Sequence, residues 1–335
     1  MAKLPVVAVT IGDPCGIGPE VVAKALAQQE VRDLCIPLVV GSTAVMRQAL
    51  ALVRSPLRIR EVTDAKDADP SPESMSILDP HNLNVEAVVP GRVSAAAGKA
   101  SMEWVELAVR LCLNGAVQAM ATAPVNKEAA SAAGYKEIGH TELLQSMTGA
   151  TNVATMLMAG GLRVVHLTTH RSLRRACDAV TRENVLAKIR LTHDYFRQHG
   201  FPSPRIGVAA LNPHASDGGL LGDEEATAIG PAVAEARAGG IDATGPVPAD
   251  SVFHQAINGK YDAVLCMYHD QGHIPIKVYG FERSVSVNLG LPLVRTSVDH
   301  GTAFDIAGQG VAQAVSMAEA IKLAAYLASG RGLPR

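Results

Sequence analysis

The sequence has few aromatic residues: they make up 4% of its 335 residues and include one tryptophan. Its cores must therefore be built from aliphatic side chains, a usage that favours helices packed on buried parallel strands. Lys and Arg number 30 and Asp and Glu 32, so the basic character typical of a nucleic-acid-binding protein is missing. No segment approaches the roughly 18–20 uninterrupted apolar residues of a membrane span. We therefore expect no contact with nucleic acid or membrane.

Paired cysteines are missing as well. The five cysteines lie far apart, without a C-x-x-C pair, at Cys15, Cys35, Cys112, Cys177 and Cys266. An odd, scattered set is typical of buried thiols in a reducing compartment, and not of a disulfide framework or a thiolate zinc site. The N-terminal residues also lack the apolar core and cleavage site of a signal peptide. These features predict a cytoplasmic protein.

What the sequence does have is an alternation of short aliphatic runs and longer helical patterns, typical of an α/β protein with largely parallel strands. The runs predict strands at Val6–Thr10, Ile36–Val40, Val117–Ala123, Val153–Met158, Leu162–Thr169, Arg205–Leu211, Tyr261–Met267 and Val294–Val298. Helices are predicted near Pro19–Gln28, Thr43–Leu52, Ser94–Asn114, Glu183–Gln198, Glu224–Ala238 and Ser316–Ala328. Segment 62–92 has a weaker pattern, which we interpret as surface loops or a small hairpin.

The length suggests two domains. We assign residues 1–125 and 286–335 to a first α/β domain and residues 126–285 to a second. The C-terminal segment returns to the first domain because one strand, a glycine-rich loop and one helix are too short to fold alone.

Two turns are candidates for binding an anion. Gly12, Gly16 and Gly18 follow the first strand, so that backbone N–H groups at a helix start could approach a ligand. His140 and Thr141, in G-H-T-E, would lie at the start of another helix, where the dipole favours negative charge. Each pattern also fits a simpler role, as a strand-to-helix turn or a helix cap.

Three histidines follow predicted strands, at positions 170, 214 and 269. Ligands of open α/β sheets bind beyond the carboxyl ends of the strands, and imidazole suits zinc and similar divalent ions. His170, His214 and His269 are thus a candidate metal site, with structural histidines as the alternative. His166 precedes His170 by four residues, about 13 Å along a strand, so the two should not share one ion.

Two cations and one loop complete the candidates. Lys277 and Arg295 fall in apolar segments, where a charge needs a partner such as a substrate phosphate, a carboxylate or a structural ion pair. Loop 299–310 combines glycines with Asp305, which can place backbone and a carboxylate beside a ligand such as an adenosine ribose.

Together these motifs resemble a known family. G-I-G-P-E at residues 16–20 and H-G-T-A-F-D-I-A-G-Q-G at residues 300–310 are similar to the glycine signatures of the isocitrate/isopropylmalate dehydrogenase fold. The narrower set G-H-T-E, T-T-H, N-P-H-A, M-Y-H-D-Q-G and R-T-S-V-D-H-G-T-A resembles the 4-hydroxythreonine-4-phosphate dehydrogenase family. The likeness covers residues 10–310. It implies two α/β/α domains with a cleft between them, in a homodimer whose active site lies at the subunit interface.

The resemblance also implies roles for single residues. The metal ligands, contributed by both subunits to one site, would be His170, His214 and His269 in the second domain. Substrate contacts would be His140, Thr141, Lys277 and Arg295. The family's asparagine in R-G-V-N-I-T-L-G-L-P corresponds to Ser286, and Asn288 on the same face of a strand is the candidate to replace it. The candidate proton acceptors are Asp270, which alternatively orients His269, and Lys277. The candidate cofactor contacts in the first domain are Gly301, Asp305, Gly308 and Gly310.

The implied activity is NAD-dependent oxidation, with loss of carbon dioxide, of a 4-phosphorylated 3-hydroxy acid, assisted by one divalent ion (zinc, or magnesium, cobalt or manganese). A-T-A-P-V-N-K-E and H-D-Q-G-H-I-P-I-K are similar to a branch acting on D-threonate or D-erythronate 4-phosphate, so either this substrate or 4-hydroxythreonine 4-phosphate is expected. We expect NAD over NADP because loop 299–310 has no Lys or Arg for a 2′-phosphate. A terephthalate dihydrodiol dehydrogenase-like enzyme, a metal-dependent phosphohydrolase and a phosphate acyltransferase stay open as alternatives.

Overall fold

The computed structural model describes residues 4–137 and 139–334. Its strands are β1 (Val6–Thr10), β2 (Ile36–Val40), β3 (Arg58–Glu61), β4 (Ser74–Leu78), β5 (Ala119–Thr122), β6 (Ala154–Ala159), β7 (Leu162–His166), β8 (Ile206–Ala209), β9 (Ala243–Val247), β10 (Ala263–Cys266), β11 (Val285–Leu289) and β12 (Arg295–Val298). Its α-helices are α1 (Gly18–Leu26), α2 (Gln29–Arg32), α3 (Thr43–Leu52), α4 (Ala95–Leu113), α5 (Lys127–Ala132), α6 (His140–Thr148), α7 (Leu173–Asp178), α8 (Arg182–Gln198), α9 (Gly230–Ala238), α10 (Ala249–Ile257), α11 (His269–Gly280) and α12 (Val315–Ala328). No helix in this part of the chain is long and apolar enough to cross a membrane.

The chain divides into two compact units. Unit 1 contains the described residues up to 151 together with 291–330, and unit 2 contains 152–290 together with 331–334. The sequence predicts boundaries at 125/126 and 285/286, whereas the structure has them at 151/152 and 290/291. The first lies later because α5 and α6 pack against α4 of unit 1. The second lies later because β11 pairs with β6 of unit 2.

Unit 1 is built on a parallel sheet with the strand order β3-β4-β2-β1-β5-β12. Its central strands read as buried aliphatic runs, as expected for a sheet covered on both faces. The helices fall into two groups by their contacts, α4 with α5 and α6, and α1 with α2, α3 and α12. The result is the predicted α/β/α arrangement.

Unit 2 has the strand order β11-β6-β7-β10-β8-β9. The pairs β11–β6 and β6–β7 are antiparallel, whereas β7, β10, β8 and β9 run parallel. Helices α10 and α11 supply Val252, Phe253 and Ile276 to one apolar core, and α8 packs against α9. Because β7, β10 and β8 are parallel neighbours, their carboxyl ends lie along one edge of this sheet.

Segment 62–92 is not the predicted set of loops or small hairpin. It contains β4, which pairs in parallel with β2 and β3 and is buried at its centre. The sequence S-M-S-I-L hides this burial, because Ser76 occupies a core position. Its hydroxyl accepts a hydrogen bond from the Asp69 N–H at 2.8 Å, which offsets the cost of burying it.

Candidate active site

Two of the predicted metal ligands lie together in unit 2. β7 ends at His166 and the chain continues to His170, while α11 begins at His269 directly after β10. The rings of His170 and His269 have centroids 5.7 Å apart. Both line a cavity of about 340 Å³ whose other walls are Thr169, Arg171, Leu173, Ala176, Tyr268 and Asp270. The parallel pairing of β7 and β10 therefore brings two histidines together from positions 99 residues apart.

Tyr268 is the cap of α11, and the helix begins with H-D-Q-G-H at residues 269–273. There the Nδ1–H of His269 donates to Oδ1 of Asp270 at 2.7 Å. This bond leaves Nε2 as the ring nitrogen with a free lone pair. A carboxylate on the distal nitrogen is the usual support of a metal-binding imidazole. Of the two roles predicted for Asp270, its geometry matches the orienting one.

His214 lies on a separate stretch of unusual backbone. Residues 214–217 have positive φ values of 44° to 67°, a region in which side chains other than glycine are strained. Glu225 fixes the start of the stretch, because its Oε1 accepts the N–H groups of Leu211 and Asn212 at 2.8 and 2.7 Å. Burial acts to raise the pKa of Glu225, but these hydrogen bonds outweigh it and lower the pKa. His214 itself is exposed and bonds through Nδ1 to Asp217.

The three predicted metal ligands do not meet as one group within the described part of a single chain. Among residues 4–137 and 139–334, no three His, Cys, Asp or Glu side chains are grouped so that they could hold an ion. The family resemblance implies ligands from two subunits, so a site formed by His170, His214 and His269 stays a prediction for the dimer.

One predicted anion contact of unit 1 is a buried arginine. Arg295 on β12 is 4% exposed, and its Nη2 donates to Oγ1 of Thr122 at 2.7 Å. Burial lowers its pKa to about 9, opposed by the nearby charge of Glu142. The guanidinium therefore stays positive at neutral pH in a place where water cannot solvate it fully.

His140 begins α6, as the sequence predicts, with Gly139 as the cap and Thr141 next in the first turn. Its Nε2 is buried and has no hydrogen-bond partner in the described part of the chain. Burial lowers the pKa of His140 well below its usual value, and the charges of Arg295 and Lys127 lower it further. The imidazole is therefore neutral, beside two cations. This region of unit 1 therefore carries an excess of positive charge that Glu142 balances in part.

The predicted contacts in unit 2 lie on α11 and β11. The Nζ of Lys277 lies 3.4 Å from Oγ of Ser284 and 4.9 Å from the ring centroid of Phe281. Ser286 and Asn288 are both buried and, two residues apart on one strand, point to the same face. That placement agrees with the interpretation that Asn288 lies beside the position of the family's asparagine.

In the predicted cofactor loop, there is free space around Gly301, whereas the backbone of Gly310 is hydrogen-bonded within the fold. A Cβ added to Gly301 would meet no atom within 4 Å, and the Asp305 side chain is exposed. In contrast, Gly310 is part of the fold: its N–H donates to Glu20, and its carbonyl accepts from Nζ of Lys24 at 2.8 Å. The first half of the loop is thus the part that leaves room for a ligand.

Sequence reasoning did not single out three residues of these regions. Thr122 holds Arg295, Glu225 holds the His214 stretch, and Asp13 is fully buried in the first glycine turn. Oδ1 of Asp13 accepts the Cys15 N–H at 2.8 Å, while Oδ2 is without a partner in the described residues. Thr122 lies in the quoted A-T-A-P-V-N-K-E motif and Asp13 follows Gly12, whereas Glu225 lies ten residues after N-P-H-A. The contacts of Thr122 and Glu225 join residues distant in the chain, so no local pattern reveals them.

Known proteins resemble the chain along almost its full length. A 4-hydroxythreonine-4-phosphate dehydrogenase of Geobacter metallireducens is 48% identical over 335 residues, 98% of each chain. A Clostridium botulinum protein with the provisional name D-threonate 4-phosphate dehydrogenase is 43% identical over 321 residues, 96% of each chain. The crystal structure of a 4-hydroxythreonine-4-phosphate dehydrogenase from Klebsiella pneumoniae is 44% identical, with a TM-score of 0.91, covering 98% of this chain and 99% of that one.

These relatives are named as dehydrogenases, which supports an oxidoreductase activity for this chain. The chain belongs to the family described as pyridoxal phosphate biosynthetic protein PdxA, whose sequence profile matches residues 33–324. The resemblance inferred from the motifs is confirmed.

Proposed function

We propose that the protein is an NAD-dependent, divalent-metal-dependent dehydrogenase that oxidises and decarboxylates a 4-phosphorylated 3-hydroxy acid. The proposal is supported chiefly by the pair His170 and His269, whose ring centroids are 5.7 Å apart after two neighbouring strands. Asp270 is hydrogen-bonded to Nδ1 of His269. A phosphate acyltransferase would need no such histidine pair.

The donor set fits a divalent ion. Two imidazoles from strand ends, one of them backed by a carboxylate, are typical ligands of zinc and similar ions. His170, His269 and His214 would hold the ion, with ligands drawn from both subunits of a homodimer. When bound, such an ion acts as a Lewis acid that lowers the pKa of a substrate hydroxyl.

The residues of unit 1 would bind the phosphate of the substrate. Arg295 presents a buried charge fixed by Thr122, and the helix start at His140 and Thr141 favours an anion. Because His140 is neutral, its Nε2 can either donate or accept a hydrogen bond toward a bound ligand. A dianionic phosphate matches this excess of positive charge better than a single carboxylate does.

The residues of unit 2 would act on the reacting end of the substrate. Lys277 would bind a carboxylate or take the hydroxyl proton on Nζ, and Asp270 would hold His269 in position through Oδ1. Ser286 lacks the amide of the family's asparagine, and Asn288 would supply one from the same strand face. This difference favours a relaxed requirement for an amino group on the substrate, which is why D-threonate or D-erythronate 4-phosphate stands beside 4-hydroxythreonine 4-phosphate.

The loop at residues 299–310 would hold the adenosine half of NAD, which accepts a hydride when bound. The open space at Gly301 and the exposed carboxylate of Asp305 support this assignment. Gly308 would let the backbone turn there, since its φ is +76°. Gly310 would contribute only through the loop's shape, because its N–H and carbonyl are engaged by Glu20 and Lys24.

A homodimer is supported by an apolar surface on unit 2. Ile274, Val278 and Phe281, on and after α11, are 59%, 83% and 67% exposed, and Leu220, on the loop after His214, is 85% exposed. Ile274 and Val278 are one helical turn apart on α11, so they form a contiguous exposed apolar patch of the kind found at interfaces. All four residues lie within 12 positions of His214 or His269 in the sequence, and we propose that a second copy binds near these candidate ligands.

The test is to incubate the protein with NAD, a divalent ion and one phosphorylated acid, and to follow NADH absorbance. The acids are 4-hydroxythreonine 4-phosphate, D-threonate 4-phosphate, D-erythronate 4-phosphate and an unphosphorylated analogue. We expect NADH only with phosphorylated acids and only before treatment with a chelator. Equal turnover of the unphosphorylated compound would refute the phosphate site, and release of inorganic phosphate without NADH would favour a phosphohydrolase.

A further inference from the structure

Contacts between three histidine rings connect the core of unit 2 with the candidate metal ligand His269. The rings of His269 and His273 are stacked, with centroids 3.5 Å apart and planes 11° apart. The ring of His166 also contacts His273, at a centroid distance of 4.7 Å and with a 55° tilt. His269 and His273 are one helical turn apart, at the start of α11.

The innermost of the three rings is fixed by the sheet. His166, the last residue of β7, is 1% exposed, and its Nδ1 lies 3.2 Å from the Thr155 carbonyl of β6. Burial lowers the pKa of His166 to about 3, with the positive field of His273 second, so this ring is neutral and Nδ1–H donates to Thr155.

Close contact between α11 and β7 requires a glycine. A Cβ added to Gly272 would overlap Nε2 of His166 and Sγ of Cys266. Without a side chain at position 272, the helix lies close enough for His273 to contact the ring of His166 as well as that of His269. The close approach and the ring contacts are thus one structural feature.

The two contacts of His269 restrict different motions of its ring. The hydrogen bond to Asp270 sets which nitrogen is protonated and fixes the ring within its own plane. The face of His273 at 3.5 Å blocks rotation of the ring out of that plane. His273 is itself tied to the helix, because its Nδ1 lies 3.0 Å from the His269 carbonyl.

We propose that His273, supported by His166, is a positioning residue that holds the imidazole of His269 in the orientation that ligates the divalent ion. The proposal rests on the metal dependence proposed above. It assigns no ligand role to His273 or His166: they act through the ring plane of His269.

The experiment measures Co²⁺ binding to the metal-free full-length protein by titration and by the visible absorption of the bound ion. Three substitutions of His273 distinguish the effect of its ring face from the effect of its Nδ1 hydrogen bond. His273→Phe keeps a flat ring but loses Nδ1, His273→Asn keeps a donor near the position of Nδ1 but loses the ring face, and His273→Leu loses both. His254→Leu, an exposed histidine of α10, is the matched control.

We expect His273→Leu and His273→Asn to weaken Co²⁺ binding about tenfold or more and to change the absorption spectrum, as loss of support around a ligand does. His273→Phe should keep most of the Co²⁺ affinity of the unaltered protein, and His254→Leu should keep all of it. The thermal midpoint of each metal-free variant shows whether it is folded.

Three outcomes would contradict these proposals, in different ways. If the unaltered protein binds no Co²⁺, the proposed function fails, and this inference fails with it. If the unaltered protein binds Co²⁺ and folded His273→Leu binds it equally well with the same spectrum, the inference alone is overturned. Equal weakening in His273→Phe and His273→Leu would likewise overturn it, since the ring face would then not matter.

Discussion

His269 and Asp270 are neighbours in the chain and hydrogen-bonded partners in space, with Nδ1 of the imidazole 2.7 Å from Oδ1 of the carboxylate. Adjacent residues in a helix normally point in different directions. Here both side chains lie in the first turn of α11, where the Asp270 side chain can bend back to the ring because it is largely exposed. The pair would form the acid–imidazole part of the proposed metal site, and it needs no long-range contact to do so.

The first prediction follows from that bond. Asp270→Ala should reduce affinity for Zn²⁺ or Co²⁺ about 10- to 100-fold, because His269 loses the group that fixes its tautomer. Asp270→Asn keeps an acceptor oxygen without the charge, so its metal affinity should lie between those of Asp270→Ala and the unaltered protein. Metal content after dialysis at a buffered free-ion concentration measures the effect. Asp250→Ala, in the first turn of α10, is the control, and an unchanged metal content in Asp270→Ala would contradict the assignment.

The second prediction concerns Arg295. Arg295→Met should lower kcat/KM for the phosphorylated substrate about 10- to 150-fold, the equivalent of one charge-assisted hydrogen bond of about 1.5–3 kcal/mol. It should cost little stability, since a buried charge is replaced by an apolar chain of similar length. Steady-state kinetics and the thermal midpoint check the two parts. Thr122→Val, which removes only the hydroxyl that Arg295 donates to, should show a smaller loss, and an unaffected kcat/KM in Arg295→Met would exclude the arginine from the site.

The third prediction is a pH dependence of stability due to Asp13. Burial raises the pKa of this carboxyl from 3.8 to about 6, against the lowering effect of the Cys15 N–H. Between these values the folded chain keeps a proton that the unfolded chain has released, so the contribution of Asp13 to stability falls as the pH rises. Above pH 6 the cost is complete and amounts to at most about 3 kcal/mol.

Asp13→Asn does not titrate, so its stability relative to the unaltered protein should increase from pH 4 to pH 8 by up to that amount. Urea unfolding at both pH values measures the change. For the control Asp250→Asn, the free energy of unfolding should differ from that of the unaltered protein by the same amount at both pH values. The same result for Asp13→Asn would show that the carboxyl of Asp13 has an ordinary pKa.

The fourth prediction tests the packing of α11. Gly272→Ala should destabilise the protein by about 1–3 kcal/mol, because the added methyl overlaps His166 and Cys266 in a filled core. Gly161→Ala, also in unit 2, has open space around its Cβ and should change stability little. Urea unfolding compares the two variants. Equal stabilities would mean that α11 can move away from β7 at no cost.

The fifth prediction concerns the cofactor. We expect a higher kcat/KM with NAD than with NADP, because loop 299–310 contains no Lys or Arg to pair with a 2′-phosphate and carries the carboxylate of Asp305. Asp305→Asn should narrow the difference by removing one repelling charge. Steady-state rates of the two proteins with each dinucleotide give the ratio. A preference for NADP in the unaltered protein would show that this loop does not contact the ribose.

The sequence alone determined the fold class and most of the helices and strands. Buried parallel strands consist of continuous aliphatic residues, a pattern that can be recognised within each segment by itself. β1 and β2 lie at the predicted residues, and α6 begins at the predicted His140. The family motifs likewise indicated the histidines that follow strands. Such signals are local, because a run of Val and Ile predicts a strand, and a glycine before a helical pattern predicts a helix start, without reference to distant residues.

The tertiary structure decided what depends on residues distant in the chain. Ser76 is a core residue only because Asp69 satisfies its hydroxyl, so β4 could not be read from its own five residues. The unit boundaries depend on which strand pairs with β11 and which helix α6 packs against. His273 reaches His166 across 107 positions only because Gly272 lets α11 approach β7. Pairing and close approach are properties of two segments together, and no pattern within either segment specifies them.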